Sequence, residues 1–134
     1  SLRLGDMLGL GLAYQNVVRT DRPELTPYTV AGGGAFATSE LIVAFDVVYD
    51  LEKVHRERYA YHAGAEYFLQ GALPARAGWR RAPYVDKTGA EKLEDVVSAG
   101  IGWVNPGGAL DVAYTQSLAR PRERSLIVGL HMFL

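Results

Sequence analysis

Between Met7 and Asn16 the chain reads MLGLGLAYQN, so that Leu8, Leu10, Leu12 and Tyr14 alternate with Gly9, Gly11, Ala13 and Gln15. Side chains along a β-strand point in turn to its two faces. Such a segment has one large apolar face and one small face, and its period of two is incompatible with a helix. The pattern recurs to the end of the chain and selects an all-β fold whose sheet meets two different environments.

Period-two segments are expected over 6–17, 27–37, 40–51, 58–69, 73–81, 95–104, 108–118 and 124–134. One face collects Val30, Phe36, Val43, Phe45, Tyr61, Ile101, Leu110, Val128 and their like. The other carries Gly64, Gly78, Ser98, Gly100, Thr115 and Gly129 among charged residues. A solvated sheet presents Lys, Glu, Gln and Thr to water, whereas a narrow barrel interior must fit its inward side chains around a tight axis. Small residues in mid-strand suit the interior, and the apolar face then suits lipid. The competing reading is a soluble sandwich or lipocalin-like barrel whose apolar face is a core or lines a cavity.

The connections sort by length. Thr38-Ser39, Gln70-Gly71-Ala72 and Asn105-Pro106-Gly107 are short, the last with strong turn chemistry. Residues 18–26, 52–57, 82–94 and 119–123 form longer connections that collect much of the charge. Outer-membrane barrels alternate short turns on one side with long loops on the other. Eight strands with this parity place both ends of the unit on the short-turn side. Thr88 to Val97 is expected as a short helix or a solvated surface within a long loop.

With 134 residues the chain is one domain, 1–134. Lys and Arg number 14 against 15 Asp and Glu, a net charge of −1 that offers no footprint for nucleic acid. No run nears the roughly 18 apolar residues of a membrane helix, while strands of about 9 to 11 alternating residues suffice to span. The absence of cysteine removes disulfides and thiolate chemistry. A start at Ser1-Leu2-Arg3-Leu4, with neither Met nor a leader, leads us to expect a processed or truncated piece of a longer chain.

Asp46, Asp50, His62, Glu66, Arg76, Arg80 and Asp111 are the expected polar lining of the lumen, acids and bases on neighbouring strands offsetting one another's burial. Tyr14, Tyr28, Tyr49, Tyr59, Trp79 and Trp103 lie near strand ends, where the aromatic girdles of a lipid-facing surface stand. His62 and Glu66 are four apart along one strand, about 13 Å, too far to grip one ion. No metal and no cofactor are expected. Gly32-Gly33-Gly34 lacks the Lys-Ser/Thr of a phosphate loop and reads as a bend or close approach within a strand. No nucleophile motif surrounds Ser39, Ser117 or Ser125, and the three histidines are scattered, so an enzyme is not expected. The final segment from Arg124 ends Phe133-Leu134, a terminal strand with a penultimate aromatic.

Thr26-Pro27 through Gly32-Gly33-Gly34-Ala35-Phe36, Leu41 to Tyr49, Ala63-Gly-Ala-Glu66-Tyr67-Phe68, Ala75-Arg-Ala-Gly-Trp79-Arg80 and Ser98 to Trp103 together resemble the later strands of FadL-type outer-membrane transporters and the related PorV-type barrels. The resemblance covers roughly Thr26 to Leu134. It implies a transmembrane, antiparallel up-and-down β-barrel in the bacterial outer membrane, of which this chain is a complete eight-stranded unit or the C-terminal part of a fourteen-stranded one. It also implies passive transport of hydrophobic, long-chain fatty-acid-like molecules, or a scaffold in a secretion complex whose contacts fall on residues 82–94. The partners implied are outer-membrane lipid and a hydrophobic small-molecule ligand. Pro74 departs from the pattern and marks a strand start or bulge.

Overall fold

The computed structural model describes residues 2–15, 28–51, 58–69 and 73–132. They form one sheet of nine antiparallel strands in sequence order, each hydrogen-bonded to the next, with no helix. The strands are β1 (Leu2–Leu4), β2 (Leu8–Gln15), β3 (Thr29–Ala37), β4 (Leu41–Asp50), β5 (Tyr59–Leu69), β6 (Leu73–Val85), β7 (Glu91–Asn105), β8 (Gly108–Ser117) and β9 (Arg124–Met132). The fold is all-β, antiparallel and up-and-down. Among the described residues β1 and β9 are the two edges of an open sheet.

Eight of these strands coincide with the period-two segments; β1 is additional, three residues that cover the start of β2 from Leu8 to Leu10. The expectation for 82–94 is corrected. Residues 82–85 and 91–94 continue β6 and β7, and the connection shrinks to 86–90. There the Asp86 N–H donates to the Ala90 carbonyl at 2.9 Å, and Gly89 takes a φ of +80°, a left-handed conformation that suits glycine. The expected helix at 88–97 is therefore turn and strand. Of the other long connections, 18–26 and 52–57 lie outside the described residues, as does the short turn 70–72.

The two expected short turns among the described residues are closed by side chains. Thr38 Oγ1 accepts the Leu41 N–H at 3.0 Å, and Asn105 Oδ1 accepts the amides of Gly107 at 2.8 Å and Gly108 at 2.9 Å. The connections after β1, β3, β5 and β7 lie at one end of the sheet, those after β2, β4, β6 and β8 at the other. We call these the turn end and the loop end. Pro74 is the second residue of β6, opposite Phe68, and its side chain is fully buried, which fits a proline at a strand start.

Among the described residues no large hydrophobic side chain is buried. Leu12, Val128 and Leu130 are exposed by 67%, 63% and 72%, so the large apolar face is left uncovered by the described residues. No helix among the described residues is long and apolar enough to cross a membrane.

Candidate functional site

The pairing register turns the alternation into two surfaces, because residues directly opposite in an antiparallel pair share a face. One row of the large face runs Leu8, Phe36, Val43, Ala65, Ala77, Ala99, Tyr114, Leu126. From Leu8 the apolar run of β2 extends six residues toward the loop end, to Tyr14; from Leu126 the run of β9 extends six residues toward the turn end, to Met132. The apolar band therefore slides by six register positions over the seven steps from β2 to β9. With about 3.4 Å per residue and about 4.8 Å between strands, it slopes at about 30° to the perpendicular of the strands.

The same slope shows in single rows. Leu10, Gly34, Phe45 and Ala63 continue through Trp79 and Val97 to Gln116 and Arg124, so one row passes from apolar to polar as the band drops below it. The next row toward the loop end goes from Leu12 and Val47 to Arg81 and Asp95.

All six aromatics expected at strand ends lie on this large face. Tyr14, Tyr28, Tyr49, Tyr59 and Trp79 follow the sloping upper border, and Trp103 the lower one beside Leu110. Neighbouring rings meet, with centroids 6.4 Å apart for Tyr14 and Tyr28 and 4.9 Å for Tyr49 and Tyr59. The polar handles point to polar partners at the border. The Trp79 indole donates to Asp95 at 2.9 Å, Arg81 grips Asp95 through two bonds of 2.9 and 2.7 Å, and Arg58 donates to the Tyr49 hydroxyl at 2.9 Å.

On the small face, Asp46, His62 and Arg80 stand directly opposite one another in one row across β4, β5 and β6. Glu66 faces Arg76 in the pair nearer the turn end, and the two are ion-paired. Arg76 also reaches Asp111 on β8 at 3.1 Å, two strands away. Asp50 stands apart at the loop end of β4, buried opposite Thr29. The small residues make room for these side chains. A Cβ on Gly33 would lie 1.9 Å from Asp46 Oδ1, and one on Gly102 2.6 Å from Asp111 Oδ1, so the carboxylates lie flat over glycines. This is the close approach expected of Gly32-Gly33-Gly34, now placed at its middle residue.

A third cluster was not foreseen in the sequence. Arg120, in the β8–β9 connection, donates to Glu94 Oε1 at 2.6 and 3.1 Å and to Glu123 at 2.6 Å, and stacks 4.5 Å from the Tyr84 ring. The Ser117 hydroxyl and then Arg120 hold the Glu94 carboxyl below its usual range, against a desolvation that acts the other way. The cluster folds the loop inward over the small face at the loop end. In the sequence its residues are visible only as members of the charged connections expected at 82–94 and 119–123.

Among the described residues no three metal-ligating side chains converge. The arrangement offers a polar, hydroxyl-bearing surface on one side and a sloping apolar band on the other. Comparison with protein-family models, with curated proteins and with solved structures found no match to this chain.

Proposed function

We propose that this chain is the wall of a transmembrane β-barrel in the bacterial outer membrane, and that the barrel passes hydrophobic small molecules of long-chain fatty-acid type without covalent chemistry. The sloping apolar band carries the reading. Strands of a membrane barrel tilt by about 35 to 45°, so a slab of lipid of constant height crosses successive strands at shifted register. A slide of about 30° is close to what such a tilt requires, and a flat sheet packed on a one-sided core has no need of it. The run from Leu41 to Tyr49 is about 27 Å long and about 23 Å high once tilted, close to the roughly 25 Å apolar band of outer-membrane barrels.

The open edges of β1 and β9 then need partners within the barrel, since unpaired backbone groups are not tolerated in lipid. The ion-paired small face faces the interior. The resemblance to FadL-type and PorV-type barrels supplies the solute class. The scaffold reading draws support from one observation, the β6–β7 hairpin, which rises six residues beyond Trp79 to Val85 and leaves Val85 and Leu93 exposed above the band.

The test has two stages. The barrel reading expects heat-modifiable migration and dependence on detergent, and a stable monomer in plain buffer would sink it. The transport reading expects faster uptake of a labelled long-chain fatty acid in cells expressing the full parent chain than in cells lacking it. Equal uptake removes transport and leaves the scaffold.

A further inference from the structure

We propose that the small face holds an oxyanion site at Arg80, completed by the hydroxyls of Ser98, Thr115 and Ser125 and suited to a phosphate- or sulfate-type group. The site rests on the reading that this face lines a hydrated interior.

The argument begins with charge pairing. Arg76 is neutralised by Glu66 and Asp111, and Arg120 by Glu94 and Glu123. Among the described residues Arg80 is exposed and makes no hydrogen bond or close ion pair, although it lies in the same hollow as Glu94, on whose carboxyl its charge acts, and Glu123. Both of those carboxylates are already turned to Arg120. The acid in Arg80's own row, Asp46, is two strands away with His62 between them, about 10 Å at sheet spacing. The planar fork of donors on Arg80, engaged by no hydrogen bond among the described residues, is shaped for two oxygens of one anion.

The hydroxyls supply the remainder. Ser98, Thr115 and Ser125 stand directly opposite one another in the row next to Arg80, on β7, β8 and β9. Among the described residues none of the three donates to another group of the protein. Gly78 begins that row on β6, and a Cβ there would lie 2.7 Å from Ser98 Oγ, so the hydroxyl leans over the glycine toward the strand that carries Arg80. Two hollows, of about 340 and 390 Å³, meet at Arg80, Val96 and Thr115. The hydroxyls thus lie on three neighbouring strands beside Arg80.

The cysteine-free chain permits a direct test, because V96C introduces a single thiol into the shared wall of both hollows. The full chain, folded in detergent micelles, is treated with an anionic and with a cationic methanethiosulfonate. The anionic reagent is expected to react several-fold faster, and millimolar inorganic phosphate or sulfate to slow it several-fold. Chloride and acetate at equal ionic strength are expected to have little effect, and R80Q to abolish both the preference and the protection.

Protection by inorganic phosphate assigns a free ion, and protection by glycerol phosphate alone assigns a phosphate ester. Equal effects of acetate and phosphate, or an unchanged R80Q, overturn the site. V112C, on the opposite face, separates this failure from that of the underlying reading. If V96C reacts and V112C is shielded while phosphate does nothing, the site alone fails. If V112C reacts as readily as V96C, or V96C is inert, the interior assignment fails and the site with it.

Discussion

The sloping band predicts that two residues in one register row differ sharply in their tolerance of charge. Leu41, Tyr67, Ala75, Ile101, Val112 and Val128 are joined pair by pair across β4 to β9 on the large face. If the apolar layer ran perpendicular to the strands, Leu41 and Val112 would sit at one depth. Following the slope, Val112 is the midpoint of the β8 run from Leu110 to Tyr114, while Leu41 ends the β4 run, four residues from Phe45 at its centre. Four residues are about 14 Å along the strand and, on the proposed barrel reading, about 12 Å along the membrane normal, which places Leu41 at the border. An arginine costs about 2 to 4 kcal/mol at the midplane of a membrane barrel and about 0 to 1 near the interface. V112R is therefore expected to lose about 2 to 3 kcal/mol more than L41R. Guanidinium unfolding in phospholipid vesicles, followed by tryptophan fluorescence, measures both. Equal losses, or a larger one for L41R, would refute the tilted-layer argument, because both residues are half-buried and share a face and a row.

The two tryptophans report the borders: with W79F and W103F as single-tryptophan chains, each remaining indole is expected to be quenched most by lipids brominated near the headgroup, and strongest quenching from the acyl-chain ends would contradict the girdle. G33A is expected to destabilise by about 1 to 3 kcal/mol, since its Cβ meets Asp46 Oδ1 at 1.9 Å and the Phe45 carbonyl at 2.6 Å. Adding D46A should recover only part of that loss, because the carbonyl stays in place, and full recovery in the same unfolding assay would show the backbone contact to be harmless. R76A should cost more than either E66A or D111A, since it leaves two carboxylates facing one another's strands, and a double-mutant comparison that ranks the acids higher would reverse this assignment. At the hairpin tip, Lys92 and then Thr88 hold the Asp86 carboxyl well below its usual value. A depressed folded-state value stabilises the fold above the unfolded value near pH 4, and this is lost only as pH falls through the lower folded one. Amide exchange at Thr88 and Ala90 should thus stay slow at pH 4 in the native chain and become fast at neutral pH in D86N; loss of protection already above pH 5 would contradict the pairing.

How much of this was legible in the sequence depends on the distance over which each feature is encoded. Period two is local, so eight strands could be read from residues such as Leu8 to Tyr14 or Leu126 to Met132 alone. β1 could not, since three residues carry no period. The stretch 82–94 was misread because its charges resemble a solvated loop, although Asp86 and Gly89 already held the chemistry of a tight hairpin turn. The pairing of Glu66 with Arg76 follows from neighbouring strands joined by a short turn, but that of Arg76 with Asp111 spans 35 residues and needs the β6–β7–β8 register. Arg120 sits in a loop, where no period says which way it points.

The slope of the apolar band is the extreme case. No single strand contains it, and each strand's alternation is equally compatible with a flat core and a tilted layer. Only when the register fixes Leu8 and Leu126 in one row does it become visible that the apolar run lies above that row in β2 and below it in β9. Alternation thus declares two faces, while the order of its borders across strands carries the information about the solvent. A border that crosses the register at about 30° fits a planar solvent cut by tilted strands, and the arginine pair at Leu41 and Val112 tests that geometry rather than hydrophobicity in general.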